Sequence, residues 1–232
     1  GDVYKRQTLY GVELDRMSAK IAGYLYPEAN IQNIGFERTN YPDGYFDVAI
    51  GNVPFGDYRV NDPVYNSHGF LIHDYFFAKT LDKLRAGGVA AYITTKGTMD
   101  KESTKVREFL FKKAELLGAI RLPNTAFKNA GTKVTADILF LQKREREIEN
   151  PEWTTITEDA QGFRINSYFV QHPEMILGTM QEISGPYGME TTCVEKEGVP
   201  LGERLRAAIS HITGHIPERA VSYTHLRAHE TR

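Results

Sequence analysis

The sequence predicts an α/β fold in which short buried strands alternate with amphipathic helices. Residues 46–50 form a short apolar run that follows a polar turn and stops abruptly, as in a strand buried on both faces of a parallel sheet. Nearer the start of the chain, apolar residues recur every four positions between Met17 and Leu25, which indicates a helix. A third observation is that polar residues directly follow two predicted strands, where open α/β sheets bind their ligands.

The first predicted unit is a strand over residues 8–14, which ends in an acid and leads into a helix. Asp15 can cap that helix, and Pro27 stops it. A carboxylate such as Glu13 at a strand end can accept hydrogen bonds from ribose hydroxyls, as in dinucleotide-binding folds. The alternative interpretation is an exposed carboxylate without a ligand. Residues 31–36 predict the next strand.

The strand over residues 46–50 is followed by Gly51 and then by Asn52-Val53-Pro54-Phe55. These four residues offer a fixed amide, a rigid backbone carbonyl and a flat aromatic face. Such groups can hold a planar base by its exocyclic amino group. Taken alone, the same four residues also fit a strand followed by a simple proline turn.

Residues 47–56, Asp-Val-Ala-Ile-Gly-Asn-Val-Pro-Phe-Gly, resemble the Asn-Pro-Pro-Phe/Tyr signature of amino-group DNA methyltransferases, chiefly the adenine-N6 type. The similarity is closest to the large methylase–helicase proteins of bacterial mobile elements and phages, and it covers about residues 8–215. It implies a class I, Rossmann-like methyltransferase sheet and the cofactor S-adenosyl-L-methionine. It further implies double-stranded DNA with a flipped adenine as substrate, and a helicase domain in the same full-length chain.

The resemblance also implies roles for the residues that hold the cofactor. Glu13 matches the acid that binds the ribose, and Phe36 matches the apolar wall of the adenine pocket. Glu37 is the same type of residue as the family's acid, which accepts a hydrogen bond from the amino group of the cofactor's adenine. The family usually places that acid before the aromatic residue, whereas Gly35 precedes Phe36 here. Asn52 is expected to contact the cofactor as well as the base.

The chemistry of an adenine amino group explains why the signature needs these residue types. The N6 lone pair is delocalised into the ring, so accepting its N–H bonds stabilises the charge that develops on nitrogen. The Asn52 side chain and the Val53 carbonyl can accept these bonds, while Pro54 fixes the turn. Phe55 is expected to stack on a base that has left the duplex. Val53 replaces the family's first proline and keeps its carbonyl.

Later parts of the chain predict the rest of the sheet. A helix begins near His73 and is expected to end at Gly87-Gly88, and an amphipathic helix follows over residues 101–115. Residues 89–94, 116–122 and 134–141 predict strands. The last two have no long crossover helix between them, so the final strand should pair antiparallel with its neighbour.

A loop over residues 123–133 joins the last two predicted strands and carries Phe127 between basic residues. By the resemblance, Phe127 matches the ring that stacks on the flipped base opposite Phe55. Lys133 in this loop and Lys96 at the end of an earlier strand are candidate DNA contacts. A solvated lysine is the equally acceptable alternative for Lys96.

The chain divides into four predicted segments. Residues 1–7 and 221–232 resemble translated sequencing-adaptor read-through and are expected to be non-native. Residues 8–143 are expected to form a partial catalytic domain whose sheet lacks the family's first strand and glycine-rich loop. Residues 144–220 comprise a charged linker and an α+β C-terminal extension.

Composition narrows the classes of function. Among 232 residues, 41% are hydrophobic and 25% charged, as in a globular protein, and no apolar run approaches a membrane span. The net charge of −2 requires any DNA-binding surface to be local. The single Cys193 excludes an internal disulfide or a cysteine-based zinc cluster, and we predict no metal site. A cytoplasmic location follows by default.

Two alternatives stay open at this stage. Protein-glutamine N5-methyltransferases carry a similar Asn-Pro-Pro-Tyr motif, because a carboxamide NH2 resembles an amino base. Phe55, the Phe127 loop and the extension argue against that activity. The second alternative is a methyltransferase-like scaffold that binds DNA without turnover.

Overall fold

The structure is a computed structural model that describes residues 8–185 and 188–218. Strands and helices alternate in its first half, and two β-hairpins follow in its second half. In chain order the elements are β1 (Tyr10–Val12), α1 (Arg16–Leu25), β2 (Asn30–Gln32), β3 (Phe46–Asn52), α2 (Ile72–Lys83), β4 (Leu84–Thr95), α3 (Gly97–Asp100), α4 (Lys105–Lys113), β5 (Ala114–Leu122), β6 (Ala136–Lys143), β7 (Ile156–Glu158), β8 (Arg164–Asn166), α5 (Ser167–Gln171), β9 (Gly178–Gly185), β10 (Gly188–Glu195) and α6 (Leu201–Ser210).

A four-stranded mixed sheet in the order β3-β4-β6-β5 forms the centre of the fold. β3 runs parallel to β4, with Asn52 opposite Ile93. β6 lies antiparallel between β4 and β5, and Ala136 at its start pairs with both Thr95 and Leu122. The predicted antiparallel last strand is therefore confirmed. The ends of β3, β4 and β5 and the start of β6 all lie at one edge of the sheet.

β1 and β2 form a separate parallel pair rather than continuing this sheet. Tyr10 of β1 contacts the start of β3, since its hydroxyl is 2.6 Å from the Tyr45 hydroxyl and its ring meets Phe46 edge-on. Farther along β3, Ile50 is 78% exposed. The two sheets thus approach each other through aromatic side chains at one end of β3.

Helix α1 begins as the sequence predicts, because the Asp15 carboxylate accepts the N–H of Ser18 at 2.7 Å. The apolar spacing along this helix, however, does not produce a buried face in the described part of the chain. Met17, Ile21 and Leu25 are all more than half exposed. Helices α2 and α4 instead face the core, to which they contribute Phe77, Leu81 and Leu110. These three residues are fully buried, as are Ile120 and Leu139 of the central sheet.

Two predicted boundaries are wrong for local reasons. The strand predicted over residues 31–36 ends at Gln32, because the Asn33 amide donates to the carbonyls of Glu13 and Leu14 and turns the chain. Phe36 therefore lies in a short 3-10 helix, Phe36–Arg38.

The Gly87-Gly88 pair does not end a helix as predicted. Helix α2 ends at Lys83, and the glycines form a bulge inside β4, where the pairing with β3 shifts register. Gly87 has a φ of +76°, which favours glycine. A Cβ on Gly88 would meet the carbonyl oxygens of Arg85 and Asp47 at 3.0 Å.

The C-terminal extension packs into the same core as the sheet. Phe169, Met175 and Cys193 are almost completely buried within the cluster that contains Ile120 and Leu139. The Asn166 amide donates to the carbonyls of Met99 and Trp153, and buried Arg107 donates to the Thr154 carbonyl at 2.7 Å. Strands and helices both occur in this extension, as predicted.

Candidate functional site

The signature residues lie at the end of β3, where the backbone stays paired for one residue beyond the strand. The Val53 N–H donates to the Ile93 carbonyl at 3.1 Å, and the Val53 side chain is 3% exposed. Pro54 follows directly and restricts the next turn. The backbone of the signature is thus fixed by β4 on one side and by burial on the other.

The Asn52 side chain and the Phe55 ring are exposed on either side of buried Val53 and half-buried Pro54. Asn52 is exposed, and Phe55 is 39% exposed. Within residues 8–185 and 188–218, no group hydrogen-bonds to the Asn52 side chain or to the Val53 carbonyl. The amide and the ring that the sequence predicted are therefore exposed, whereas the residue that carries the predicted carbonyl is buried.

The loop that follows the signature is held by a charged network that the sequence analysis missed. Asp62 is 6% exposed and accepts from the Tyr75 hydroxyl at 2.8 Å and from the Lys79 ammonium at 3.1 Å. Burial alone would raise the pKa of Asp62, but these hydrogen bonds outweigh it and lower the pKa. Lys79 also donates to the Glu37 carbonyl at 3.2 Å. This lysine therefore ties the loop to the candidate adenine pocket.

The candidate cofactor residues cluster around the ends of β1 and β2. Glu13 directly follows β1, and one carboxylate oxygen accepts the Asp15 N–H at 2.8 Å. The Phe36 ring packs on Phe76, with centroids 4.8 Å apart, so one side of that ring already has a partner. The Glu37 carboxylate lies 3.6 Å from the Arg38 guanidinium. The cofactor roles of Glu13, Phe36 and Glu37 stay predictions.

His73 and Asp74 form a buried pair at the start of α2. The His73 Nε2 lies 3.4 Å from Asp74 and 3.2 Å from the Lys101 ammonium. Burial lowers the pKa of His73, so its neutral form is favoured. His73 is 5% exposed, and its side chain does not cap helix α2.

The loop with Phe127 lies at the same sheet edge as the signature. It joins β5 to β6, and Phe127 precedes a short 3-10 helix, Lys128–Ala130. The Phe127 ring is half-buried against the core. Lys133 is exposed. Strand spacing places the β3 and β6 ends about 10 Å apart.

Lys96 lies at the end of β4 but does not point freely into solvent. Its ammonium donates to both the carbonyl and the hydroxyl of Thr191 in β10, the latter at 3.0 Å. Burial lowers the pKa of Lys96. To contact a DNA phosphate, this side chain would have to leave Thr191.

A second buried charged network, centred on Arg121, was not predicted from the sequence. The Arg121 guanidinium is fully buried and makes two hydrogen bonds of 2.9 Å to Asp137, and it lies 2.8 Å from Asp100. Burial alone would lower the pKa of Arg121, but the two carboxylates raise it. One signal was available: Arg121 interrupts an apolar run in β5, Asp137 interrupts one in β6, and the two residues pair in register.

Comparison with known proteins decides the family. The sequence model of the N-6 DNA methylase family matches residues 4–167, which is well over half of the chain. The chain belongs to the N-6 DNA methylase family. Over 142 residues it is also 33% identical to the Defense against restriction protein B of Escherichia phage P1. Those residues are 59% of this chain but only 6% of that relative.

Solved structures agree with the fold of this family. A structure described as a class I S-adenosylmethionine-dependent methyltransferase from Listeria monocytogenes is 21% identical, with a TM-score of 0.50. The match covers 62% of this chain and 47% of that chain. A structure described as a modification subunit of a type I restriction enzyme from Vibrio vulnificus YJ016 is 19% identical, with a TM-score of 0.51 over 63% of this chain and 34% of that one. At these identities the likeness establishes the class I methyltransferase fold.

The described residues contain no helix that is long and apolar enough to cross a membrane.

Proposed function

We propose that these residues form the catalytic part of an enzyme that transfers a methyl group from S-adenosyl-L-methionine to the N6 amino group of adenine in DNA. The observation that carries the proposal is the pair of unengaged acceptors, the Asn52 side chain and the Val53 carbonyl, on a fixed backbone at the end of β3. Membership of the N-6 DNA methylase family supports the same reaction.

The two acceptors and the ring act on the base as one unit. The Asn52 oxygen and the Val53 carbonyl accept the two N–H bonds of the adenine amino group and stabilise the charge that develops on its nitrogen. Since β4 fixes the Val53 backbone, this stabilisation requires little rearrangement. Phe55 stacks on the flipped base, and Phe127 covers its other face.

The residues around the cofactor position fit S-adenosylmethionine. The Glu13 carboxylate has one oxygen on the Asp15 N–H, and its other oxygen makes no hydrogen bond to the described residues, so it can accept from a ribose hydroxyl. Phe36 supplies an apolar wall, and Glu37 an acceptor beside it. When bound, the cofactor supplies the electrophilic methyl group.

Double-stranded DNA is the partner that this proposal requires, and Lys133 and Lys96 are its candidate phosphate contacts. One similar protein is named for defence against restriction, and another is described as a subunit of a restriction enzyme. These names support a role in DNA modification linked to restriction. A helicase domain in the same polypeptide stays a prediction from the resemblance.

The test uses the protein expressed from the longest open reading frame that contains residues 8–218, here called the long-frame protein. It is incubated with duplex DNA and methyl-labelled S-adenosylmethionine, and the DNA is digested to nucleosides. We expect label in N6-methyladenine, and a loss of roughly a hundredfold or more in turnover for Asn52→Ala. Label only in N4-methylcytosine or in protein glutamine would contradict the assignment.

A further inference from the structure

The hairpin formed by β9 and β10 crosses the sheet edge that carries the candidate site. Its two strands pair antiparallel along their full lengths, with Gly178 opposite Glu195. Met180, Thr192 and Cys193 are buried, although this hairpin is short and lies near the C-terminal end of the described residues. This burial indicates that β10 has partners on the side away from β9.

Those partners are the two ends of the loop that carries Phe127. At the start of the loop, the Asn124 N–H donates to the Cys193 carbonyl at 2.7 Å. At its end, the Thr135 hydroxyl accepts the Cys193 N–H at 2.9 Å. Both ends of the loop are therefore fastened to the same residue of β10.

The Thr192 hydroxyl joins the same two ends through side chains. It lies 3.0 Å from the Thr135 hydroxyl and accepts from the Asn124 amide at 3.3 Å. Near the start of the loop, the Thr125 hydroxyl also donates to Glu195 at 2.7 Å. A single buried hydroxyl thus connects residues 124 and 135, which bound the loop.

Between these ends the loop is supported mainly by its own turns. The Ala130 and Thr132 N–H groups donate to the Phe127 carbonyl at 2.9 and 3.4 Å, and the Gly131 N–H donates to Lys128. In the part of the chain that the structure describes, these turns make no hydrogen bond to the central sheet. The position of Phe127 therefore depends on how the two ends of the loop are held, together with the packing of its ring against the core.

β10 also reaches the end of β4, next to the signature strand. The Lys96 ammonium bonds to Thr191, and the Lys96 N–H donates to the Thr135 carbonyl at 3.3 Å. Lys96 thus links β4, the end of the Phe127 loop and β10. One hairpin consequently holds both the loop and the strand that fixes Val53.

We propose that the β9–β10 hairpin is a clasp for the target-base loop, and that Thr192 and Thr135 are positioning residues that act through Phe127. Its consequence for DNA rests on the proposed function, because Phe127 meets a base only if DNA is the substrate. The fastening of the loop does not depend on that function. The C-terminal extension thereby gains a role in the site.

The variants remove or keep one hydroxyl in the long-frame protein. Thr192→Val removes the hydroxyl at nearly constant volume, and Thr192→Ser restores it. Thr179→Val is the matched control, because Thr179 lies on the same hairpin, is exposed and has no described side-chain hydrogen bond. Circular dichroism and thermal unfolding confirm that each variant folds.

The first measurement is hydrogen–deuterium exchange of the loop amides at residues 126–132. We expect Thr192→Val to speed their exchange about tenfold, the scale expected for lost buried hydrogen bonds. Thr192→Ser and Thr179→Val should exchange like the wild type, and the amides of β4 and β6 should stay unchanged in all variants. Unchanged loop exchange in Thr192→Val, or equal acceleration in β4 and β6, would overturn the clasp.

The second measurement follows the base with 2-aminopurine at the target adenine and adds steady-state kinetics. We expect Thr192→Val to lower the flipped-base signal and kcat about tenfold while the KM for DNA changes less than twofold, with rescue by Thr192→Ser. Equal losses in Thr179→Val would contradict a positioning role. If the wild type gives neither signal nor methylation, the proposed function fails, and hydrogen exchange alone decides the clasp.

Discussion

In the proposed function, the four consecutive residues from Asn52 to Phe55 bind the base partly through side chains and partly through the backbone. Asn52 and Phe55 contribute side chains, so substitution can remove their contacts one at a time. Val53 contributes its carbonyl, and its buried side chain keeps that carbonyl in place. Substitutions at position 53 are therefore expected to act through packing, whereas those at 52 and 55 act on the base.

Phe55 and Phe127 allow a test at the scale of single rings. Replacing either ring with alanine should weaken the flipped state of the base by roughly 1–3 kcal/mol, the usual contribution of base–aromatic stacking. The 2-aminopurine signal of the long-frame protein measures this, with Phe70→Ala as a control ring, since Phe70 stacks on His68 instead. A wild-type signal in Phe127→Ala would remove Phe127 from the site.

The signature could be predicted from sequence because its parts are contiguous. The same holds for the Asp15 cap, whose partner Ser18 lies three residues away. The Asp62–Lys79 and Arg121–Asp137 pairs were not predicted, because they join residues 17 and 16 positions apart. Register and loop geometry bring these partners together, and neither is encoded in a local pattern.

At the scale of elements, the sequence predicted the order and pairing of the later strands better than it predicted where strands and helices end. Alternating apolar runs and connection lengths indicated the antiparallel β6. The boundaries at Gln32 and Lys83 depended instead on the Asn33 side chain and on a bulge at Gly87 and Gly88. The contacts between β10 and the Phe127 loop could not be predicted either, because they join residues 57 to 70 positions apart.

Gly178 offers a test of the hairpin as an element. A Cβ there would meet the Val194 carbonyl oxygen at 2.2 Å, so Gly178→Ala must push β9 away from β10. We expect a loss of about 1–3 kcal/mol in the free energy of unfolding, as for overpacking. Gly202→Ala in α6 is the control, because no atom of the described residues lies within 4 Å of its Cβ position. Urea unfolding compares the two, and equal stabilities would contradict the close approach at Gly178.

At the scale of the whole molecule, the candidate cofactor residues are divided between two sheets. Glu13 and Phe36 follow β1 and β2, whereas Asn52 ends β3 in the four-stranded sheet. The described contacts between these parts are side-chain ones, such as Tyr10 on Phe46 and Lys79 on the Glu37 carbonyl. Cofactor affinity is therefore expected to depend on how firmly these contacts hold the two sheets in place.

This division predicts weak cofactor binding by residues 8–218 alone. No Gly-x-Gly sequence occurs in that range, so it offers no glycine-rich loop whose N–H groups could meet the methionine end of the cofactor. We expect a dissociation constant above roughly 1 mM for S-adenosylmethionine by calorimetry, and micromolar binding by the long-frame protein. Glu13→Gln in the long-frame protein should then weaken binding, because the ribose loses a charged acceptor. Micromolar binding by residues 8–218 would mean that the two sheets already form a complete cofactor site.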